Sequence, residues 1–240
     1  MFARISKWLY PPACLLCNAA TTQRTIQGTI QGTTEGLCAA CAAELPENFC
    51  ACTRCALPLY ATEQLVCGRC LKKPPAFDAA WSPFIYAQPL EWMISQLKFN
   101  AKLAQVKVLA NLMLLRMPVL TTMPDCMMPV PLHKQRLRHR GFNQSVELAR
   151  PLAQALGVPL DSTSCTRLRA TLPQTGMKAV QRRRNLRGVF NFTNDKNYQY
   201  VVLFDDVMTT GATLNEVAGL LKRKGVQRVD VWSLARAQRN

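Results

Sequence analysis

Beyond residue 80 the hydrophobic positions change period several times. Residues 81–86 (WSPFIY) form a short apolar run with strand character. In 89–99 (PLEWMISQLKF) and 102–117 (KLAQVKVLANLMLLRM) apolar residues recur every three or four positions, the spacing of two amphipathic helices. Residues 125–132 (DCMMPVPL) read as a short strand, because Pro129 and Pro131 sit poorly inside a helix. A third helix spans 143–158, closed by Gly157 and with a kink expected at Pro151. Residues 200–207 (YVVLFDDV) read as a buried strand, 213–225 as a helix ending at Gly225, and 226–237 as a last strand. Strands alternating with helices predict an α/β domain on a mostly parallel sheet.

The first 80 residues have no such periodicity. They are dotted with Gly, Thr and Pro and hold nine of the eleven cysteines within residues 1–70; only Cys126 and Cys165 lie beyond. The cysteines form four C-x2-C pairs: Cys14 with Cys17, Cys38 with Cys41, Cys52 with Cys55, and Cys67 with Cys70. Two intervening residues let a tight turn aim both thiolates at one metal ion, and two such knuckles complete the tetrahedral four-thiolate site that structural zinc prefers. Sequential pairing predicts one zinc ion on Cys14, Cys17, Cys38 and Cys41, and a second on Cys52, Cys55, Cys67 and Cys70. Buried free thiols or disulfides are the alternatives, and Cys50 is a competing ligand whose role stays open. Residues 21–36 (TTQRTIQGTIQGTTEG) read as an insertion between the first two pairs, and 71–78 (LKKPPAFD) as a linker. The expected division is a double zinc ribbon over 1–73 and an α/β domain over 79–240.

No secretory signal is visible at the start. The longest apolar stretch, 108–120, is broken by Asn111 and Arg116, short of a membrane span. A cytoplasmic protein is expected, a compartment where clustered cysteines favour metal over disulfides.

Charge then separates the two parts. The chain of 240 residues carries 30 Lys+Arg against 14 Asp+Glu, formally +16. Residues 1–80 contribute only 7 basic and 5 acidic residues, whereas 134–187 alone hold 12 basic and 2 acidic. A basic surface of this kind suits a polyanion, a phosphorylated ligand or simple solvation. After the early strand, Pro131-Leu132-His133-Lys134 leads into Arg136, Arg138 and Arg140, read as a loop able to hold a diphosphate. Arg182, Arg183, Arg184 and Arg187 form a second cluster. Phe142, Phe190 and Phe192 are either core residues or stacking surfaces for bases.

The densest chemistry follows the buried strand 201–204. It delivers Asp205 and Asp206 at its carboxyl end, then Thr209-Thr210-Gly211-Ala212-Thr213 leads into a helix. Ligands of open α/β sheets bind at the carboxyl ends of strands, and a small-residue turn at a helix N-terminus turns N–H groups toward phosphate. The acids can accept hydrogen bonds from ribose hydroxyls. The loop lacks the lysine of a P-loop, and no G-x-G-x-x-G occurs.

Four apolar residues, two acids, an apolar residue, one variable residue and T-T-G-x-T resemble the phosphoribosyl diphosphate (PRPP) signature of class I phosphoribosyltransferases. With the paired zinc ribbons, Gln96-Leu97-Lys98-Phe99, PVPLH, RGFNQS, Gln174 and RRRNLRGVF, the chain resembles the ComF family of competence-associated phosphoribosyltransferase-like proteins. The resemblance implies a class I phosphoribosyltransferase-type sheet behind a double zinc ribbon. It implies that Asp205 and Asp206 bind ribose hydroxyls, that Thr209, Thr210, Gly211, Ala212 and Thr213 hold the 5′-phosphate, and that Pro131, Leu132, His133 and Lys134 lie near the pyrophosphate. Mg²⁺ would arrive with PRPP. The family ties the chain to DNA uptake in natural transformation, with single-stranded DNA, PRPP or a ribose phosphate, and other competence proteins at the inner membrane as partners. The basic residues Arg136, Arg138, Arg140, Arg182, Arg183, Arg184 and Arg187 would meet the DNA. The alternative is catalytic transfer of phosphoribose from PRPP to a nucleobase-like acceptor. No catalytic residue is assigned.

Overall fold

The computed structural model describes residues 13–21, 36–60, 65–100, 104–169 and 188–238. The expected DNA contacts Arg182, Arg183, Arg184 and Arg187, most of the 21–36 insertion, and Gln174 lie outside the described residues. In the cysteine-rich part are two short helices, α1 (Ala39–Ala43) and α2 (Gly68–Lys72). Strands β1 (Ala79–Trp81) and β2 (Phe84–Ile85) precede helices α3 (Leu90–Asn100) and α4 (Ala104–Leu114). Strand β3 (Cys126–Pro129) is followed by helices α5 (Lys134–Arg140) and α6 (Gln144–Leu156), then strands β4 (Cys165–Arg167) and β5 (Phe190–Phe192). Strand β6 (Tyr200–Met208), helix α7 (Ala212–Arg223) and strand β7 (Arg228–Arg236) complete the order.

The main sheet is five-stranded, in the order β1-β7-β6-β3 with β2 also on β7. All its pairings are parallel, as alternating strands and helices predict. The single apolar run 81–86 is divided between β1 and β2. Pro83 has no N–H for the ladder, and the Ser82 hydroxyl bonds Ser233 Oγ at 2.5 Å across the gap. Pro151 lies within α6, which ends at Gly157, its left-handed cap at φ +66°. A separate antiparallel ribbon of β4 and β5 has no counterpart in the sequence reading.

Strand β6 has a core on both faces. Val202 and Phe204 pack with residues of α3, α4 and α6, while Val201 and Leu203 pack with α7 and the β4–β5 ribbon. Phe190 and Phe192 are buried in the second of these cores, and Phe142 packs against the first, so all three are core residues rather than open stacking platforms. The segment after Lys134 is not the expected loop. It is a helix of about two turns, capped by His133 Nδ1 accepting from the Gln135 N–H and stopped by Gly141 at φ +83°.

The two ribbons are copies of one local design. Cys14 N–H bonds the Ala19 carbonyl and Cys52 N–H the Leu57 carbonyl, both at 2.8 Å. Asn18 and Ala56 hold positive φ at equivalent places after the first knuckle. In each ribbon the second cysteine pair opens a helical turn, α1 after Cys38 and α2 after Cys67, so three-residue spacing brings both thiols to one side. Each ribbon also enters a different core. Cys14, Leu37 and Leu45 join the α3–α4–α6 side, and Ala56 joins the α7 side. A Cβ on Gly36 would meet Val108 Cγ2 at 2.5 Å, so the first ribbon's backbone presses directly on α4. Among the described residues no helix is long and apolar enough to cross a membrane.

Candidate functional site

Strand β6 carries Asp205 and Asp206 to the carboxyl edge of the sheet, flanked by β3 and β7. The chain then turns through Thr209 and Thr210 into α7. Gly211 caps the helix at φ +73°, a left-handed conformation that costs an L-residue roughly 1–2 kcal/mol, while nothing closer than Met208 Sδ at 3.5 Å would oppose a side chain there. It is the backbone angle, not space, that asks for glycine. Having no side chain, Gly211 offers no cap to the first-turn N–H groups of α7, an arrangement suited to an anion. Thr210 Oγ1 accepts from Ala212 N–H at 3.3 Å, and Thr209 is exposed.

The two acids are in different situations. Asp206 is buried, and Lys98 Nζ from α3 sits 2.5 Å from its Oδ2. Asp205 Oδ1 accepts from Ser145 Oγ at 2.9 Å and from its neighbour's N–H. Burial, followed by the Asp206 carboxylate, raises the Asp205 carboxyl to about 7, although Lys98 and Ser145 pull the other way. Burial alone would lower Lys98; the Asp206 charge outweighs it and holds the ammonium above its usual range.

Lys98 and Ser145 are site residues that the residue-level reading did not assign a role. The available signal was position: Lys98 falls four residues after Ile94 and eight after Leu90, on the buried stripe of α3. A lysine there must find an acid. Ser145 stands in the first turn of α6, behind the Asn143 cap.

Around the carboxylates the structure gathers cations. Arg140 bonds Gln144 Oε1, and burial lowers its pKa while Asp206 opposes and Arg136 reinforces the shift. Arg167 of β4 is lowered by burial and by Arg136, with Asp205 opposing, and its guanidinium lies 5.5 Å from the Phe190 ring centroid. Pro131, Leu132 and His133 are half-buried between β3 and α5, and Asn143 Nδ2 donates to the Val130 carbonyl at 3.1 Å beside them. Lys134, Arg136 and Arg138 are exposed along α5.

The eight expected metal ligands form two clusters, Cys14–Cys17–Cys38–Cys41 and Cys52–Cys55–Cys67–Cys70, in each of which all ligand atoms lie within 4.8 Å of one another. Cys17 and Cys38 sulfurs are 3.7 Å apart, as are those of Cys55 and Cys67. A tetrahedron with Zn–S near 2.3 Å has edges of about 3.8 Å, so both clusters fit zinc. Burial opposes ionisation of Cys14, but N–H groups of Cys17, Cys38 and Leu16 bring it down to about 6. Cys67 is likewise brought to about 7 against burial, through Cys70 and its neighbouring thiols. Cys41 is raised by the neighbouring Cys38 thiol and by burial, and Cys55 and Cys70 are raised by burial and neighbouring thiols, so the fit to zinc rests on the geometry of the four sulfurs. Four cysteines per cluster leave no open coordination position, which makes the role structural.

The chain matches two family models, a double zinc ribbon domain over residues 5–71 and a phosphoribosyl transferase domain over residues 143–239. Over 205 residues it is 40% identical to the DNA utilization protein YhgH of Salmonella typhimurium, covering 83% of this chain and 90% of the relative. The Escherichia coli K12 protein of the same name is 38% identical over equal coverage. Competence protein F of Haemophilus influenzae is 35% identical over 209 residues, 84% of this chain and 90% of that one. Sheet, loop and cysteine clusters thus define a phosphoribosyltransferase-type α/β protein with an N-terminal double zinc ribbon. More narrowly, the chain belongs to the ComF family.

Proposed function

We propose that this chain is a competence-related DNA utilization protein that binds PRPP or another ribose 5-phosphate and handles single-stranded DNA in the cytoplasm. The observation that carries the ligand is the Thr209–Thr213 turn, which opens α7 behind a side-chain-free Gly211 and follows a buried strand with two acids near its carboxyl end. The 5′-phosphate meets the N–H groups of the turn, the ribose hydroxyls meet Asp205 and Asp206, and the pyrophosphate lies toward Pro131, Leu132, His133 and Lys134. Mg²⁺ would come with the ligand and would offset the charge of its phosphates. Because Lys98 holds Asp206, the ribose either displaces that ammonium or uses it as a second contact. Exposed Arg136 and Arg138, with Arg140 and the 182–187 cluster, meet the DNA backbone. The names of the relatives, DNA utilization protein and Competence protein F, support this role.

Titration calorimetry with PRPP and Mg²⁺ tests the ligand. Asp205→Asn with Asp206→Asn should weaken binding at least roughly tenfold, since each charged acceptor contributes about 1.5–3 kcal/mol. Unchanged affinity would remove the ribose role from both residues.

One observation favours a second reading, catalytic phosphoribosyl transfer. A carboxyl poised near neutrality, as Asp205 is, can move a proton during turnover. Base-dependent release of pyrophosphate from PRPP by the wild type, abolished in Asp205→Asn, would establish it.

A further inference from the structure

A cavity of about 660 Å³ opens between the second ribbon and α7. It shares the Thr210–Gly211–Ala212 backbone with the phosphate turn, but neither Asp205 nor Asp206 borders it. A molecule seated along Arg69, Lys73 and Arg223 therefore lies away from the two acids assigned to the ribose, although the cavity reaches the phosphate turn. The volume is that of a small-ligand site, for which roughly 300–1,000 Å³ is usual.

Its two walls carry like charge. Arg69 and Lys73 stand on the ribbon side, Arg223 on the α7 side and Arg236 at the base, against the single acid Glu216. Arg69, Lys73 and Arg223 are exposed, so an entering anion meets mobile cations from both modules at once. The remaining wall is apolar, formed by Phe190, Pro74 and Pro75. A bare inorganic anion would neutralise the cations and leave that wall wet. A purely apolar molecule would bury the cations without partners. A ligand with a charged end and a flat apolar end satisfies both.

We propose that this cavity binds a nucleoside phosphate, its phosphates between Lys73 and Arg69 of the ribbon and Arg223 of α7, and its base on Pro74 and Pro75, with only the edge of the buried Phe190 beside it. The bound molecule joins the ribbon to the helix that begins at the phosphate turn. It thereby links occupancy of this cavity to the neighbouring site. The proposal does not depend on PRPP being the ligand of the Thr209–Thr213 turn.

Titration calorimetry on the full chain with ADP, GDP, CDP, UDP and inorganic pyrophosphate tests it. At least one nucleotide should bind saturably, and more tightly than pyrophosphate. Lys73→Glu and Arg223→Ala should each weaken that nucleotide roughly tenfold or more, the loss expected for a charge-assisted contact. Both variants should keep wild-type zinc content and melting temperature, and Asp206→Asn should bind the nucleotide as the wild type does. Failure of all four nucleotides to bind would overturn the proposal. So would pyrophosphate binding as tightly, or nucleotide binding lost in Asp206→Asn and retained in the two cavity variants. Loss of PRPP binding alone would count only against the ribose-phosphate reading.

Discussion

Arg236, at the end of the last strand, donates through Nε to the carbonyl of Cys55 at 2.9 Å, 181 residues earlier in the chain. Through Nη1 the same guanidinium donates to the carbonyl of Met208 at 2.8 Å and to that of Thr209. One buried side chain, 2% exposed, thus ties a ligand-bearing knuckle of the second ribbon to the entrance of the phosphate turn.

Arg236→Met is expected to leave the buried Met208 carbonyl and the part-buried carbonyls of Cys55 and Thr209 without this donor, and to cost about 3 kcal/mol of stability. Arg236→Lys should recover only part, because an ammonium lacks the planar fork that spans these carbonyls. Urea unfolding measures both. A Met variant within about 1 kcal/mol of the wild type would show that the carbonyls find other partners.

Asp205 sets a pH dependence of definite sign. Its carboxyl is raised from 3.8 to about 7 in the folded chain, so between those values the folded state holds a proton that the unfolded state has released. Stability from this group therefore falls as pH climbs from the unfolded value toward about 7. Asp205→Asn removes the dependence and can still accept from Ser145. Its stability relative to the wild type should rise from about pH 4 to about pH 7 and then level off, as read from urea midpoints. A difference independent of pH would assign the titration to another group.

Zinc content should be about two ions per chain, with one lost in Cys14→Ser and one in Cys52→Ser, by metal analysis of reduced protein. Chelation should lower the melting temperature, since ribbon folding is linked to metal binding. Through the Cys55–Arg236 bond, Cys52→Ser should also weaken PRPP binding more than Cys14→Ser does. Equal effects would leave the Arg236 bridge with no part in positioning the turn.

Single-stranded DNA affinity should fall steeply with salt, by about 0.7 in log K per log salt for each phosphate contact. Replacing exposed Arg136 and Arg138 by Ala should shallow that slope by up to about 1.4. A slope unchanged by both substitutions would move the DNA path off α5. Sequence preference should be slight, because the described residues place no helix or strand with an obvious base-reading face.

Much of this protein is local, and what is local was legible from the sequence. Three-residue spacing dictates that Cys38 and Cys41, or Cys67 and Cys70, share one side of a turn. Alternating periods dictated the parallel sheet around β6, and the small residues 209–213 had to turn between strand and helix. Tertiary structure decided what depends on distant segments meeting. Lys98 reaches Asp206, Ser145 reaches Asp205, and Arg236 reaches Cys55, because β3, β6 and β7 align in register and the ribbons pack onto opposite faces. No period in the chain encodes those partners, since a buried charge specifies that it needs a counter-group but not which one. The raised carboxyl of Asp205 and the cavity between ribbon and α7 arise in the same way. Both are properties of the space enclosed when separate elements pack.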